Sequence, residues 1–194
     1  MSSIEELLRA SRSIRRFKQE EAVPRETLQW LVGLARLCPS AANLQPLKFV
    51  LSNTPETNAR IFPCLSWAGY LGDWPGPSEG ERPSAYIIIL GDTRITSNFG
   101  CDHGIVAQSI MLAARERGLG GCIIGSMNRH RLREALGIPE RYEILLVLAL
   151  GVPNEEVVLQ EAKGDIRYWR DAQGVHHVPK RPLRELLLRL PPDG

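Results

Sequence analysis

The sequence is poor in most features that mark a specialised chain. Four cysteines stand among its 194 residues, Cys38, Cys64, Cys101 and Cys122, with no CxxC pair and no Cys/His cluster. That excludes a zinc ribbon and thioredoxin-type exchange, and reads as small apolar side chains in the interior. The adjacent His176 and His177 have no third ligand at a suitable spacing, so no metal is expected. An excess of one charge is missing as well. Lys plus Arg number 24 and Asp plus Glu 22, a net charge of +2, which argues for neither nucleic acid nor an anionic membrane as partner. A long apolar run is absent. Ile144 to Leu150 is far below the roughly 18 residues of a membrane-spanning helix. The N-terminal MSSIEELLRA carries acids where a signal peptide needs a basic region, so a soluble, cytoplasmic protein is expected. There is no GxSxG, no GxxxxGK[ST] and no GxGxxG. Gly118-Leu119-Gly120-Gly121 comes close to the last, but it follows a helical pattern and not a strand.

What is present is ordinary globular composition, 43% apolar and 24% charged, at a length that suits one domain. Ser3 to Ala10 reads as a short helix with Ser2 or Ser3 as its cap and acids in the first turn. Pro24 opens a second helix, in which Leu28, Leu31, Val32 and Ala35 share one face. A strand is expected at Lys48 to Ser52 and a short helix from Pro55 to about Phe62. Pro63, Pro75, Pro77 and Pro83, interleaved with glycines, forbid a long element between 63 and 83. Ala85 to Leu90 reads as a strand buried on both faces. Cys101 to Arg117 reads as a helix that is apolar around most of its circumference, hence buried in the core or in an interface. Strand Cys122 to Ile124, a helix from Asn128 to Leu136 closed by Gly137, and strand Ile144 to Leu150 complete a core of about 4–152. Alternating helices and strands give an α/β or α+β class. The remaining arm, 153–194, has no second domain's worth of core. Its Tyr168-Trp169 pair, Lys180-Arg181 pair and final leucines suit packing on a partner subunit.

Three clusters carry chemistry. Arg12, Ser13 and Arg15 put two guanidiniums and a hydroxyl within four residues, a set that suits a phosphate or, alternatively, a solvated basic stretch. Ser40, Asn43 and Gln45 present a hydroxyl and two amides in a loop stiffened by Pro39 and Pro46, unless they are ordinary turn residues. Gly121 to Gly125 is an apolar strand between glycines, where backbone can approach a flat ligand.

These clusters resemble the nitroreductase family of flavoproteins, in its short FMN-dependent form, over about residues 4–185. Arg12-Ser13-Ile14-Arg15-Arg16-Phe17 is similar to the family's RSxRxF signature, and Pro39 through Pro46 to its PSxxNxQP loop. Cys101 through Gln108 and Gly118 through Gly125 look like its central helix and glycine strand. Leu148 through Pro153 resembles its LALGxP strand end. Ser11 stands where many members carry a further arginine, and Leu47 where an aromatic often follows the QP pair. In place of the larger members' insert helix stands a Pro/Gly-rich stretch with Trp67, Tyr70 and Trp74, which either lines the substrate side or packs on the core.

The resemblance implies an α+β fold, a mixed sheet flanked by helices, in an obligate homodimer with FMN at each subunit boundary. It implies that Arg12, Ser13 and Arg15 hold the phosphate and ribityl chain. Ser40, Asn43 and Gln45 would touch the flavin, with Gln45 or its neighbours acting across the dimer. Ile124 and Gly125 would bring backbone to the flavin N5, and Lys180 or Arg181 would close on the phosphate. The implied activity is FMN reduction by NADH or NADPH, then reduction of a nitroaromatic, quinone or similar small acceptor by a ping-pong route. A non-catalytic flavin-binding or redox-sensing module is the alternative, and a basic-patch protein without cofactor a third reading.

Overall fold

Period-two burial in one strand organises the molecule. The computed structural model describes residues 3–72 and 74–188. Strand β2 (Ala85–Asp92) is buried along its whole length. It sends Ala85, Ile87 and Ile89 into one hydrophobic layer and Tyr86, Ile88 and Leu90 into another. Each of its three fully buried isoleucines contributes about 1.5–3 kcal/mol of hydrophobic stabilisation. β2 pairs antiparallel with β1 (Leu47–Ser52) and with β4 (Tyr142–Gly151), and β4 pairs antiparallel with β3 (Gly120–Ile124). The order is β1-β2-β4-β3, with β1 and β3 at the two edges.

Helices cover both faces. On the first, α2 (Arg25–Ala35) contributes Leu28, Leu31 and Ala35, and α4 (Asp102–Glu116) contributes Val106, Ala107, Ile110, Met111 and Ala114. On the second, α3 (Pro55–Ile61) and α5 (Arg129–Leu136) contribute Ile61 and Leu132. The expected ends hold. Ser3 and Glu6 form a reciprocal capping box on α1 (Ile4–Ala10), the Asn128 side chain accepts from the Arg131 N–H of α5, and Gly137 ends that helix at φ +65°. Ser2, the other candidate cap of α1, lies outside the described residues. α2 starts one residue after Pro24, which occupies the N-cap. α4 is less enclosed than its composition suggests. Ile105, Leu112 and Ala113 are only half-buried. Cys101 is exposed and Cys38 half-buried, so only Cys64 and Cys122 fit the expectation of interior thiols.

The arm folds into strands that the sequence pattern does not announce. β5 (Val157–Glu161), β6 (Trp169–Arg170) and β7 (His176–Lys180) form a sheet of order β5-β7-β6, parallel between β5 and β7 and antiparallel between β6 and β7. Pro179 lacks a donor, yet sits in the central strand, because β6 reaches only His176 and His177 and leaves that side of β7 free at Pro179. The four strands β1 to β4 pair antiparallel throughout, whereas this small sheet is mixed. A four-residue helix, α6 (Leu183–Leu186), follows, with Leu183, Leu186, Leu187 and Leu188 exposed. The end of the arm, 189–194, lies outside the described residues. Among the described residues no helix is long and apolar enough to cross a membrane.

Candidate functional site

Two glycines decide where the basic segment lies. A Cβ on Gly120 would meet Ile14 Cγ1 at 2.7 Å and Pro153 Cγ at 2.8 Å. One on Gly121 would meet the Ala149 carbonyl, Leu150 Cδ2 at 2.8 Å and Met111 Cε at 2.9 Å. Without those carbons, residues 12–17 can lie against β3, where the Ile14 N–H donates to the Gly121 carbonyl at 2.8 Å and Ser13 bridges Gly121 in parallel. Phe17 is fully buried and fixes the far end of the segment on Pro153. Arg15 thereby reaches the same pocket as Ile124 and Gly125, a cleft of about 240 Å³ that also includes Ser66, Trp67 and Cys122. Three sequence-predicted residues, Arg15, Ile124 and Gly125, are thus brought together.

The electrostatics of this pocket centre on Arg15. Its side chain is nine-tenths buried, yet it takes part in none of the ion pairs among the described residues. Glu155 lies beside it, but that carboxylate accepts from the backbone N–H groups of Arg15 and Arg16 and pairs with Arg170 at 2.9 Å. The guanidinium instead meets the Ser13 carbonyl at 3.4 Å, His176 Nε2 at 3.4 Å and the face of Tyr168 at 5.0 Å. A buried cation without a counter-ion is costly, and an anion in the pocket removes that cost. Burial pushes the Cys122 thiol up, which keeps it protonated beside Arg15.

The other predicted residues stand elsewhere. Arg12 turns back, donates to the Leu8 carbonyl at 2.7 Å and so caps the end of α1; burial lowers its pKa, and its Nε is buried without a partner. Lys180 ends β7, four residues and about 13 Å of strand beyond His176, and Arg181 pairs with Glu185 at 3.2 Å. Neither lines the Arg15 pocket. Trp67 does, whereas Tyr70 packs on Tyr168 at 5.0 Å and Trp74 under Arg170 at 4.4 Å.

The Ser40 loop lies by β1, at the opposite edge of the sheet, about 14 Å away as three strand spacings. It is built around Asp102, a 3% exposed carboxylate at the start of α4. Ser40 Oγ donates to Asp102 Oδ2 at 2.6 Å, the Ala41 N–H donates to Oδ1 at 3.1 Å, and the Gln45 N–H donates to Ser40 Oγ at 2.9 Å. The Ser40 hydroxyl is thus engaged in shaping the loop. The lock holds Ala42, Asn43 and, past a right-handed Leu44, Gln45 at φ +49°, +54° and +50°, left-handed values that non-glycine residues seldom adopt. The Gln45 amide donates to Asn43 Oδ1 at 3.1 Å, and both side chains are exposed. Ser40, Gln45 and Leu47 border an apolar groove of about 430 Å³ between α2, α4 and β1.

Asp102, Glu155, Tyr168 and His176 do not emerge from the sequence clusters. Asp102 carries one legible signal, an acid in the first turn of a helix. The other three meet Arg15 only through pairings across more than a hundred residues.

A family model described as the Nitroreductase family matches residues 8–69 and 81–152. A protein of Archaeoglobus fulgidus, named provisionally as an NADH dehydrogenase/NAD(P)H nitroreductase, is 28% identical over 159 residues, 78% of this chain and 86% of its own. The enone reductase of conjugated linoleic acid biosynthesis from Lactiplantibacillus plantarum is also 28% identical, over 74% of this chain and 82% of its own. The solved structure of an FMN-dependent nitroreductase from Clostridium difficile R20291 superposes with a TM-score of 0.66 at 26% identity, over 84% of this chain and 92% of that one. The α+β architecture, the glycine-edged strand with Arg15 beside it and the match to most of the chain agree, and the chain belongs to the nitroreductase family of oxidoreductases.

Proposed function

We propose that the protein is an FMN-dependent oxidoreductase that uses NADH or NADPH to reduce a nitroaromatic, quinone or similar small acceptor by a ping-pong route. The observation that carries the reading is Arg15. A guanidinium nine-tenths buried, without a carboxylate, on a pocket edged by the Ile124-Gly125 backbone suits a flat ligand with a phosphate. Ser13 adds a hydroxyl beside it. FMN, when bound, accepts a hydride and passes reducing equivalents on. The chain supplies position and electrostatics: Arg15 neutralises phosphate charge, Gly125 admits the ring system closely, and Trp67 excludes water from one wall. No side chain is assigned as proton donor. Arg12, turned onto α1, and Lys180 and Arg181, at the far end of β7, join the phosphate only if they swing toward it.

The reading includes a homodimer in which the Ser40, Asn43 and Gln45 loop of one subunit completes the Arg15 pocket of the other. It is supported by the separation of the two halves on opposite sheet edges, by the apolar groove beside Ser40, and by the exposed Leu183, Leu186, Leu187 and Leu188 of the arm. The arm's contacts at Glu155, Tyr168 and His176 are with its own subunit, so the leucines 183–188 are the part that would pack on the partner. Four free thiols, one of them exposed, suit the reducing cytoplasm.

Anaerobic stopped-flow tests the activity. The flavin band should bleach with NADH or NADPH and return on addition of a nitroaromatic or quinone, with light scattering giving twice 21.7 kDa. A flavin-loaded dimer that bleaches with neither nucleotide favours a redox-sensing module, and a flavin-loaded monomer overturns the shared site.

A further inference from the structure

The contacts of the arm with Arg15 form a built device. His176 opens β7 and is 1% exposed. Its Nε2 faces Arg15 Nη1 at 3.4 Å. A guanidinium only donates, so that nitrogen must accept, and the imidazole must be neutral with its proton on Nδ1. Tyr168 closes the other side, its ring 5.0 Å from Arg15 Cζ and 5.2 Å from the His176 ring. His177, next in sequence, points to the opposite face and stacks on Trp169 at 4.1 Å. The cost of the arrangement is visible, because His176 Nδ1 is buried and without a partner. An apolar ring at this position would avoid that cost.

We propose that His176 is the positioning residue of the anion anchor: as a neutral acceptor it holds Arg15, against Tyr168, in the orientation that receives the phosphate of FMN. The proposal rests on the reading that Arg15 binds that phosphate. It assigns to His176 the arm's contribution at this pocket. The charges facing the imidazole all favour the neutral form. Burial, then Arg15, Arg170 of β6 and His177 hold its pKa down to about 4, and the Glu155 carboxylate is committed to Arg170 and to backbone N–H groups. His176 therefore remains an acceptor at neutral pH. A protonated imidazole there would repel Arg15 and open the anchor.

The test compares FMN with riboflavin, which has the same ring system and no phosphate, by fluorescence titration of the full-length protein freed of flavin. His176→Phe keeps an aromatic ring and removes the acceptor. It should weaken FMN about tenfold and leave riboflavin within about twofold, the loss of one charge-assisted hydrogen bond. His176→Gln, whose carbonyl can accept from Arg15, should restore most of the FMN affinity. In an Arg15→Ala background His176→Phe should have no further effect on FMN. Equal weakening of both ligands, or no rescue by Gln, would reduce His176 to packing and overturn the proposal. FMN affinity unchanged by His176→Phe overturns it as well. Arg15→Ala alone decides the underlying reading separately. If that variant binds FMN as the parent does, the phosphate anchor itself is misplaced; if it weakens FMN while His176→Phe does not, only the role of His176 falls.

Discussion

Replacing Asp102 by alanine isolates the lock that shapes the Ser40 loop. The carboxylate is 3% exposed and accepts from Ser40 Oγ at 2.6 Å and from the Ala41 N–H at 3.1 Å. Two hydrogen bonds to a charged acceptor contribute about 1.5–3 kcal/mol each. A carboxylate in the first turn of α4 adds about 0.3–1 kcal/mol through the helix dipole. Against these stands the several kcal/mol that burying the charge costs, which the substitution removes with the group. The net loss should be about 2–4 kcal/mol, which for a chain of this length lowers Tm by roughly 4–16 °C at fixed protein concentration. Asp102→Asn is the control. Its oxygen can still accept from Ala41 and its amide can donate to Ser40, so it should cost only about 1 kcal/mol. Ser40→Ala removes the other half of the lock, and the double variant should be less destabilised than the sum of the two by about 0.5–3 kcal/mol. Urea unfolding of the parent and the four variants reads these values directly. An alanine variant within about 0.5 kcal/mol of the parent, or strict additivity with Ser40→Ala, would refute the lock.

Three further outcomes follow from the same geometry. Gly121→Ala drives a Cβ into the Ala149 carbonyl and the Met111 side chain, so it should cost more than about 3 kcal/mol by urea unfolding, while Gly125→Ala, whose Cβ meets only Leu146 Cδ2 at 3.7 Å, should be tolerated in the folded chain. His176 titrates at 6.5 when unfolded and about 4 when folded, so the unfolded chain binds more protons between those values and stability must fall as pH falls through that window; the contribution is about 2 kcal/mol between pH 7 and pH 5, and it should disappear from the pH profile of His176→Gln. Cys122→Ser should leave hydride transfer to bound FMN largely intact in stopped-flow bleaching, since the buried thiol is held protonated, and loss of bleaching in a folded, flavin-loaded variant would reveal a catalytic thiol.

Legibility in the sequence followed the range of the interactions. α2 announced itself by Leu28, Leu31 and Ala35 on one face, α5 by Asn128 and Gly137 at its ends, and β2 by an apolar run too continuous for a half-exposed strand. All three are set by local periodicity or by caps. The strand from Gly121 to Gly125 reads as a place where backbone meets a flat ligand, but that Gly120 and Gly121 instead admit the chain's own Ile14 and Met111 is not legible. The strands of the arm escaped because β5 and β7 pair in parallel across a long connection and because Pro179 argues against a central strand. The site divided in the same way. Arg15, Ile124 and Gly125 converge as their motifs suggest, whereas Arg12 finds a nearer acceptor at Leu8, and Ser40 is committed to an acid more than sixty residues away. Side-chain rivalries of that kind are settled by tertiary distance, which spacing along the chain does not encode.

The central claim is that the Arg15 pocket holds the phosphate of FMN. Chromatography of the flavin released by heating the purified, flavin-reconstituted protein tests it most directly, with the amount counted per chain. FMN is expected as the dominant species at about one per chain in the parent, with a large loss of retained FMN in Arg15→Ala, whose missing charge-assisted hydrogen bond contributes about 1.5–3 kcal/mol, or ten- to a hundred-fold in affinity. FAD as the dominant species, no flavin after reconstitution, or full FMN retention by Arg15→Ala would contradict it.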